Sequence, residues 1–402
     1  MQYDFLIIGG GAAGFFTAIN VAEKNPKLKI GILERGKEVL SKVRISGGGR
    51  CNVTHAEFVP DELSKNYPRG EKELIGPFHT FMTGDTIEWF SSRGVELKIE
   101  DDGRIFPVSD SSQTIIDCFL SEAKKLGIEV LKNHVVKNFH KEEEIWKVIT
   151  NQGDFEAKKL MLATGSNPKI WTKLNELDLK TIDAVPSLFT FNIKDSRIKE
   201  LPGIATEASV AVKNSKLTSD GPLLITHWGM SGPAILKLSA WGAVELNSYQ
   251  YNFEIIVNWL QDYTKEEVVD VLKSLKNKNP KQQVFKYAQF ELPKRLWQSL
   301  VLTSGIHNTT RWADINKSQL FKLSEELTQG VFKVKGKSTF KEEFVTAGGI
   351  DLKEINFKTF ESKKYKNLYF AGEILNIDAI TGGFNFQNAW TGAYIAAQAI
   401  IS

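Results

Sequence analysis

The chain has 402 residues, of which 42% are hydrophobic and 25% charged, and a net charge of +3. That length implies two or three domains with room for buried cores, and so small a charge makes no global case for a nucleic acid or a membrane surface as partner. Its two cysteines, Cys51 and Cys118, lie far apart and in no C-x-x-C pattern, which argues against a disulfide framework or a redox dithiol and for a reducing, cytoplasmic compartment.

Tyr3 to Ile8 is apolar except for Asp4, enters Gly9-Gly10-Gly11-Ala12-Ala13-Gly14 and continues as Phe15 to Ala22. A second, largely apolar run, Leu28 to Leu33, ends in Glu34, twenty residues past Gly14. Strand, glycine turn, helix, strand and acid form the dinucleotide-binding fingerprint in the context it requires. Gly9 permits a backbone angle that a side chain opposes, Gly11 admits a pyrophosphate, and Gly14 lets the helix pack on the strand. The helix opening near Gly11 aims its free N–H groups at the phosphates, and Glu34 is placed to accept from an adenosine ribose. Phe5 to Ile19 is uncharged, but it lacks a basic leader and is too short to span a bilayer.

Val43 to Thr54 reads as a flexible loop around Gly47-Gly48-Gly49, with Arg50, Cys51 and Asn52 adding polar chemistry suited to an anion or a flavin edge. Thr83-Gly84-Asp85 is expected to cap a helix over Thr86 to Ser91. Ser111 or Ser112 is expected to cap another, carrying Ile115, Ile116, Phe119 and Ala123 and ending at Gly127. Ile128 to Leu131, Val135 to Phe139, Ile145 to Thr150 and Phe155 to Ala163 read as strands, the later ones a β-meander. The last enters Ala163-Thr164-Gly165, a second glycine turn at a sheet edge.

From 189 to 340 the pattern changes to an inserted α+β domain, strand-rich over 189–260 and containing a small helical subdomain over 264–328. Its strands lead to Thr226-His227-Trp228-Gly229-Met230-Ser231-Gly232-Pro233. Five lysines and no acid fall between Val271 and Phe290, in keeping with a solvated helical face or a weak anionic contact surface. The chain then returns to the first domain, which is thus discontinuous (1–188 and 341–402). Here Leu368 to Glu373 reads as a buried strand ending in Gly-Glu, followed by Thr381-Gly382-Gly383-Phe384-Asn385-Phe386-Gln387 and a helix, a second ring- and anion-binding corner.

The expected fold class is therefore α/β, a Rossmann-like nucleotide domain with a meander and an inserted α+β domain. Three stretches, Ile45 to Thr54 (ISGGGRCNVT), Thr226 to Leu236 (THWGMSGPAIL) and Ala371 to Gln387 (AGEILNIDAITGGFNFQ), resemble the YhiN/BaiN-type family of bacterial FAD-dependent oxidoreductases, often labelled aminoacetone-oxidase-like. The family is similar to the two-dinucleotide-fold flavoproteins, and the resemblance covers essentially the whole chain. It implies FAD contacts at Gly9, Gly11, Ala13, Gly14, Glu34, Arg35, Gly48, Arg50, Cys51, Asn52, Thr164, Gly165, Glu373, Asn385 and Phe386, with Val136 reaching the adenine through its backbone. Arg44 and His55 depart from the family pattern, in which an aliphatic residue and Asn are common. One branch of the family is associated with reduction of steroid enones in bile acids.

The function expected from this is a hydride transfer between FAD and a small or medium organic substrate; since no second GxGxxG marks a dedicated NAD(P) domain, either NAD(P)H visits the flavin transiently, as in enone reduction, or the organic substrate is the electron donor and oxygen or a quinone the acceptor. His227 is the candidate acid or base and Arg50 the candidate orienting group. His79, His134, His140 and His307 show no metal-ligand spacing, so no metal is expected, and neither is a nucleic acid or a membrane. The alternative is a flavin-bound binding or redox-sensor protein that contacts a partner through the lysine-rich part of the insert.

Overall fold

Gln2–Ile8 forms the central strand of the computed structural model, fully buried along its second half because Phe5, Leu6, Ile7 and Ile8 are covered on both faces. Parallel neighbours flank it: Ile30–Leu33 and then Glu129–Leu131 on one side, Asp154–Leu162 and then Leu368–Phe370 on the other. Glu129–Leu131 extends the expected nucleotide sheet, and Leu368–Phe370 returns to it from the far end of the chain. Val136–Glu142, Ile145–Thr150 and Asp154–Leu162 make the antiparallel meander, whose last strand also joins the parallel sheet. Helices Ala12–Lys24 and Phe384–Ile401 pack on one another against this sheet.

The structure describes residues 1–338 and 345–402, which divide into two compact units, Met1–Pro186 with Lys341–Ser402, and Ser187–Phe340. The first has a Rossmann-like mixed α/β fold. The second is built on a closed six-stranded barrel in the order Thr190–Ile193, Gly229–Ser231, Thr218–Thr226, Ala205–Val212, Asn252–Asn258 and Gly330–Ser338. Inward side chains alternate along Gly330–Ser338, as in Phe332 and Val334, and the core continues into the helices Lys265–Lys278, Lys294–Thr303 and Lys317–Thr328 through Leu272, Trp297 and Leu323.

Three local features differ from expectation. The stretch read as strand-rich holds two helices, Pro233–Trp241 and Ala243–Ser248, the first opened by Pro233 at a position where a missing N–H costs nothing. Thr83 and Asp85 lie inside the helix Thr83–Ser91, which the Asp85 carboxylate closes by accepting from the Met82 N–H. Val43 to Ile45 belong to a helix that opens at Ser41, so the lead-in to the glycines is helical, whereas Ser46, Gly47 and Gly48 leave helical geometry as a loop does.

Candidate functional site

Ile8, Leu33, Leu162 and Phe370 stand in register, so the segments that follow them share one edge of the sheet: Gly9, Glu34, Ala163-Thr164-Gly165 and Ala371-Gly372-Glu373. This is the carboxyl edge, where ligands of open α/β sheets bind. Gly9 has φ +117°, and a Cβ there would lie 2.3 Å from the Ala163 carbonyl oxygen. At Gly14 a Cβ would lie 2.1 Å from the Gly9 carbonyl oxygen, yet at Gly11 it would meet nothing within 4 Å. Gly11 caps the helix Ala12–Lys24 without a side-chain hydrogen bond, which leaves the first-turn N–H groups and the positive dipole end for an anion.

At the end of the second strand, the Glu34 carboxylate accepts from the N–H groups of Gly10 at 2.9 Å and Gly36 at 2.7 Å, which fixes its direction and leaves lone pairs for a ribose. Arg35 beside it is exposed, and the Glu34 carbonyl accepts from the His134 N–H at 2.8 Å, just before Val136 opens the meander. Across the edge, the Thr164 hydroxyl is buried and has no hydrogen-bond partner among the described residues. Gly165 has φ +59°, and a Cβ on it would lie 3.4 Å from a Glu373 carboxylate oxygen, itself paired with Lys42.

A second corner joins 47–55 to 382–387. Gly47, Gly48 and Gly49 all have left-handed φ (57°, 67° and 86°), as has Cys51 (62°), so the run reverses the chain through backbone angles that glycine adopts readily. The Cys51 thiol is fully buried, and burial pushes its pKa up to about 12 against a weaker opposing hydrogen bond with Ser46. Arg50 stacks 3.8 Å over the Phe106 ring and donates to Glu100 at 2.6 Å and to Asp110 at 3.4 Å. The Asn52 amide, with its nitrogen toward the carbonyls of Thr54 and Ile105, accepts from the Gly383 N–H at 3.0 Å.

Gly383 opens Phe384–Ile401, again without a capping side chain. The Asn385 side chain accepts from the Ala379 N–H at 3.1 Å, so what it offers at the helix end is its backbone N–H. Phe386 stacks on Trp390, and Gln387 accepts from Thr54 at 2.6 Å and Thr86 at 2.9 Å. His55, the departure from the family pattern, stacks on Phe384 at 4.5 Å with its Nδ1 3.2 Å from the Gly382 carbonyl oxygen. Two uncapped helix ends, side-chain-free approaches at Gly11 and Gly48, and an orphaned hydroxyl at Thr164 fit a long dianionic dinucleotide.

All the expected cofactor residues therefore fall in the first unit. His227 falls in the second, exposed with Trp228 at the tip of the hairpin between Thr218–Thr226 and Gly229–Ser231, and its ring has no hydrogen-bond partner among the described residues. Lys42, Gly372 and Gln387 belong to the same cradle without having been singled out. Gly372 stands inside the Ala-Gly-Glu motif, where a Cβ would lie 3.4 Å from Ala13, whereas no local pattern marks Lys42. Among the described residues no group of three or more His, Cys, Asp or Glu is placed to hold a metal, and no helix is long and apolar enough to cross a membrane.

The family described as HI0933-like protein Rossmann domain matches residues 3–399. Proteins of Haemophilus influenzae and Escherichia coli, both named ribosomal RNA dihydrouridine synthase, are 29% and 27% identical to this chain, the alignments covering 99% and 100% of it and 99% and 98% of theirs. A 3-dehydro-bile acid delta(4,6)-reductase of Clostridium scindens is 25% identical, with 98% of each chain covered. Among solved structures, a 3-ketosteroid-delta4-(5alpha)-dehydrogenase from Rhodococcus jostii shares the fold at a TM-score of 0.52 and 11% identity, covering 100% of this chain and 97% of its own.

Proposed function

The chain belongs to the HI0933-like Rossmann-domain family of FAD-dependent oxidoreductases, and from that premise we propose that it saturates a ring carbon–carbon double bond conjugated to a carbonyl, with NAD(P)H as donor. The observation that carries the reading is the cradle in the first unit, with uncapped helix ends at Gly11 and Gly383 and the unpartnered Thr164 hydroxyl between glycine turns. The choice of reaction draws on the relatives. A delta(4,6)-reductase and a dihydrouridine synthase each add two hydrogens across a ring double bond in a compound that also bears a carbonyl.

In this reading Gly9, Gly11, Ala13 and Gly14 hold the pyrophosphate, and Glu34, Arg35 and Val136 the adenosine. Thr164, Gly165 and Glu373 line the passage between. Gly48, Arg50, Cys51, Asn52, Asn385 and Phe386 surround the ring end, the last two through backbone N–H groups. FAD, when bound, supplies the hydride relay between donor and substrate. The balance is one hydride from NAD(P)H and one proton, added to the two carbons of the double bond, with NAD(P)⁺ released. His227 is the proposed proton donor, its imidazole exposed and unengaged by the described residues. Arg50, held flat on Phe106, is the proposed orienting group for the substrate.

The test is product analysis with deuterated NAD(P)H. A conjugated steroid enone or a uridine-containing RNA should gain two hydrogens, one of them deuterium. Flavin that is reduced by the donor and discharged only to oxygen, with every double bond left intact, would overturn the proposal.

A further inference from the structure

A dinucleotide brings two phosphate charges to an edge that already carries two carboxylates, Glu34 and Glu373. The helix Ala12–Lys24 meets the phosphates with backbone N–H groups and a dipole equivalent to roughly half a charge, but its single cation, Lys24, stands in the last turn. Phe384–Ile401 carries no cation, and neither do the edge segments 163–165 and 371–373. Arg35 is exposed and directly follows Glu34, the acid assigned to the ribose. A cation for the phosphates has to come from another segment, and the fold supplies one in Lys42.

The backbone brings Lys42 to the glycine turn. The Leu40 N–H donates to the Gly10 carbonyl oxygen at 2.8 Å, and Val39 lies so close that a Cβ on Gly10 would stand 3.0 Å from its Cγ1. Leu40 takes a left-handed φ of 57°, unfavourable for a leucine, and the chain turns there into the helix that opens at Ser41. Lys42 then pairs with Oε2 of Glu373. Glu373 follows Gly372, where a Cβ would lie 3.4 Å from that of Ala13 in the first turn of Ala12–Lys24. Residues 39–42 are thus fastened at one end to the middle of the glycine turn and at the other to a neighbour of the first helical turn.

This pairing leaves Lys42 with donors to spare. An ammonium has three N–H groups, and Glu373 is the one partner of Lys42 among the described residues. The Lys42 side chain is 56% exposed against 19% for Glu373, so the ammonium is the open member of the pair. Local electrostatics do not call for a lysine here, since it stands in the first turn of a helix, where the dipole opposes a cation, and no acid lies in that turn. Nor does an ion pair so exposed add much to stability. A compact ammonium beside a phosphate site acts as a point charge that offsets repulsion from the neighbouring carboxylate and takes phosphate oxygens itself.

We infer that Lys42 is the counter-cation of the cofactor's pyrophosphate, and that Glu373 is its positioning residue, holding the ammonium beside the glycine turn through one donor and leaving the others to phosphate oxygens. This rests on the FAD cradle proposed above and gives it a cation that its glycine turns and helix ends lack.

The test uses the full-length protein, stripped of flavin and titrated with FAD or with ADP, the half of FAD that carries the pyrophosphate. K42M should weaken FAD binding by at least about tenfold, and ADP binding, read by displacement of FAD, by the same factor. K42R, which keeps the charge, should stay within about threefold of wild type. Added salt should weaken FAD binding more in wild type than in K42M, and the thermal midpoint of the stripped protein should be the same in both. The loss in K42M should persist when it is combined with E373Q, whereas a loss that vanishes in that background would leave Lys42 as a partner of Glu373 alone and overturn the inference. Equal losses in K42R and K42M overturn it, as does a K42M variant that loses FAD but keeps ADP, which would place Lys42 at the ring end. FAD affinity unchanged in K42M overturns the inference and leaves the FAD cradle standing. A wild-type protein that binds neither FAD nor ADP overturns the cradle itself.

Discussion

Gly9 and Ala163 approach so closely at the carboxyl edge of the sheet that a methyl group on Gly9 would sit 2.3 Å from the Ala163 carbonyl oxygen, whereas a methyl on Gly11 would meet no protein atom within 4 Å. The two glycines thus serve different ends: one lets adjacent strands turn together, the other keeps space open for a ligand. Gly9→Ala should cost about 1–3 kcal/mol of stability through its left-handed φ and the clash. Gly11→Ala, at φ −98°, should leave the apoprotein's thermal midpoint unchanged and weaken FAD binding by at least about tenfold, or ~1.4 kcal/mol. Thermal denaturation of apoprotein beside FAD titration separates the two. Unaltered FAD affinity in Gly11→Ala would count against a pyrophosphate at that turn.

Asp378 is fully buried and held by both Nε and Nη2 of Arg69, whose side chain is only 16% exposed. The pair pins the segment that leads into Gly383. Removing one partner of a buried ion pair strands the other, so Asp378→Ala should destabilise the protein by about 3–5 kcal/mol in urea or thermal unfolding. A loss below ~1 kcal/mol would show that water reaches Arg69 freely.

The nucleotide edge is legible in the sequence because its determinants are local: Gly9, Gly11, Gly14 and Glu34 fall within one βαβ unit whose spacing is set by geometry. The barrel is not, because Asn252–Asn258 pairs with Gly330–Ser338 across three intervening helices, and nothing within either strand names its partner. The same holds for the Thr164 hydroxyl, whose isolation depends on neighbours remote in sequence. Net charge misleads in another way. A total of +3 conceals the +8 between Val271 and Ser324, so the charge of the whole chain does not describe the charge of its parts. Arg50 was legible as a functional candidate, but its clamp by Glu100 and Asp110 was not, since both acids come from other segments.

Burial of Cys51 gives a pH signature. Its thiol ionises near 9.0 when unfolded and is pushed up to about 12 in the fold, so above pH 9 the folded state holds the proton that the unfolded state releases. Stability should be unaffected by this group below pH 9 and decline as pH rises from there toward 12. At neutral pH a thiol reagent should leave Cys51 unmodified in the native protein and label it after unfolding. Rapid labelling of native Cys51 would mean that the 47–52 turn opens.

His227→Asn should separate the two halves of turnover. If the imidazole protonates the substrate, reduction of the flavin by NAD(P)H should be unchanged while substrate reduction slows by roughly 10²–10⁴-fold. Stopped-flow measurement of each half-reaction decides this. Equal rates in both would leave His227 as a residue of the hairpin turn and nothing more.

The central claim is that this chain passes hydride from a nicotinamide donor through FAD to a conjugated double bond, and the anaerobic absorbance of the purified holoprotein tests it most directly. NADH or NADPH should bleach the flavin band, and addition of a conjugated enone or a uridine-containing RNA, with oxygen excluded, should restore it in proportion to the double bonds consumed. A protein that carries no flavin, or whose flavin is bleached by neither donor, would contradict the account.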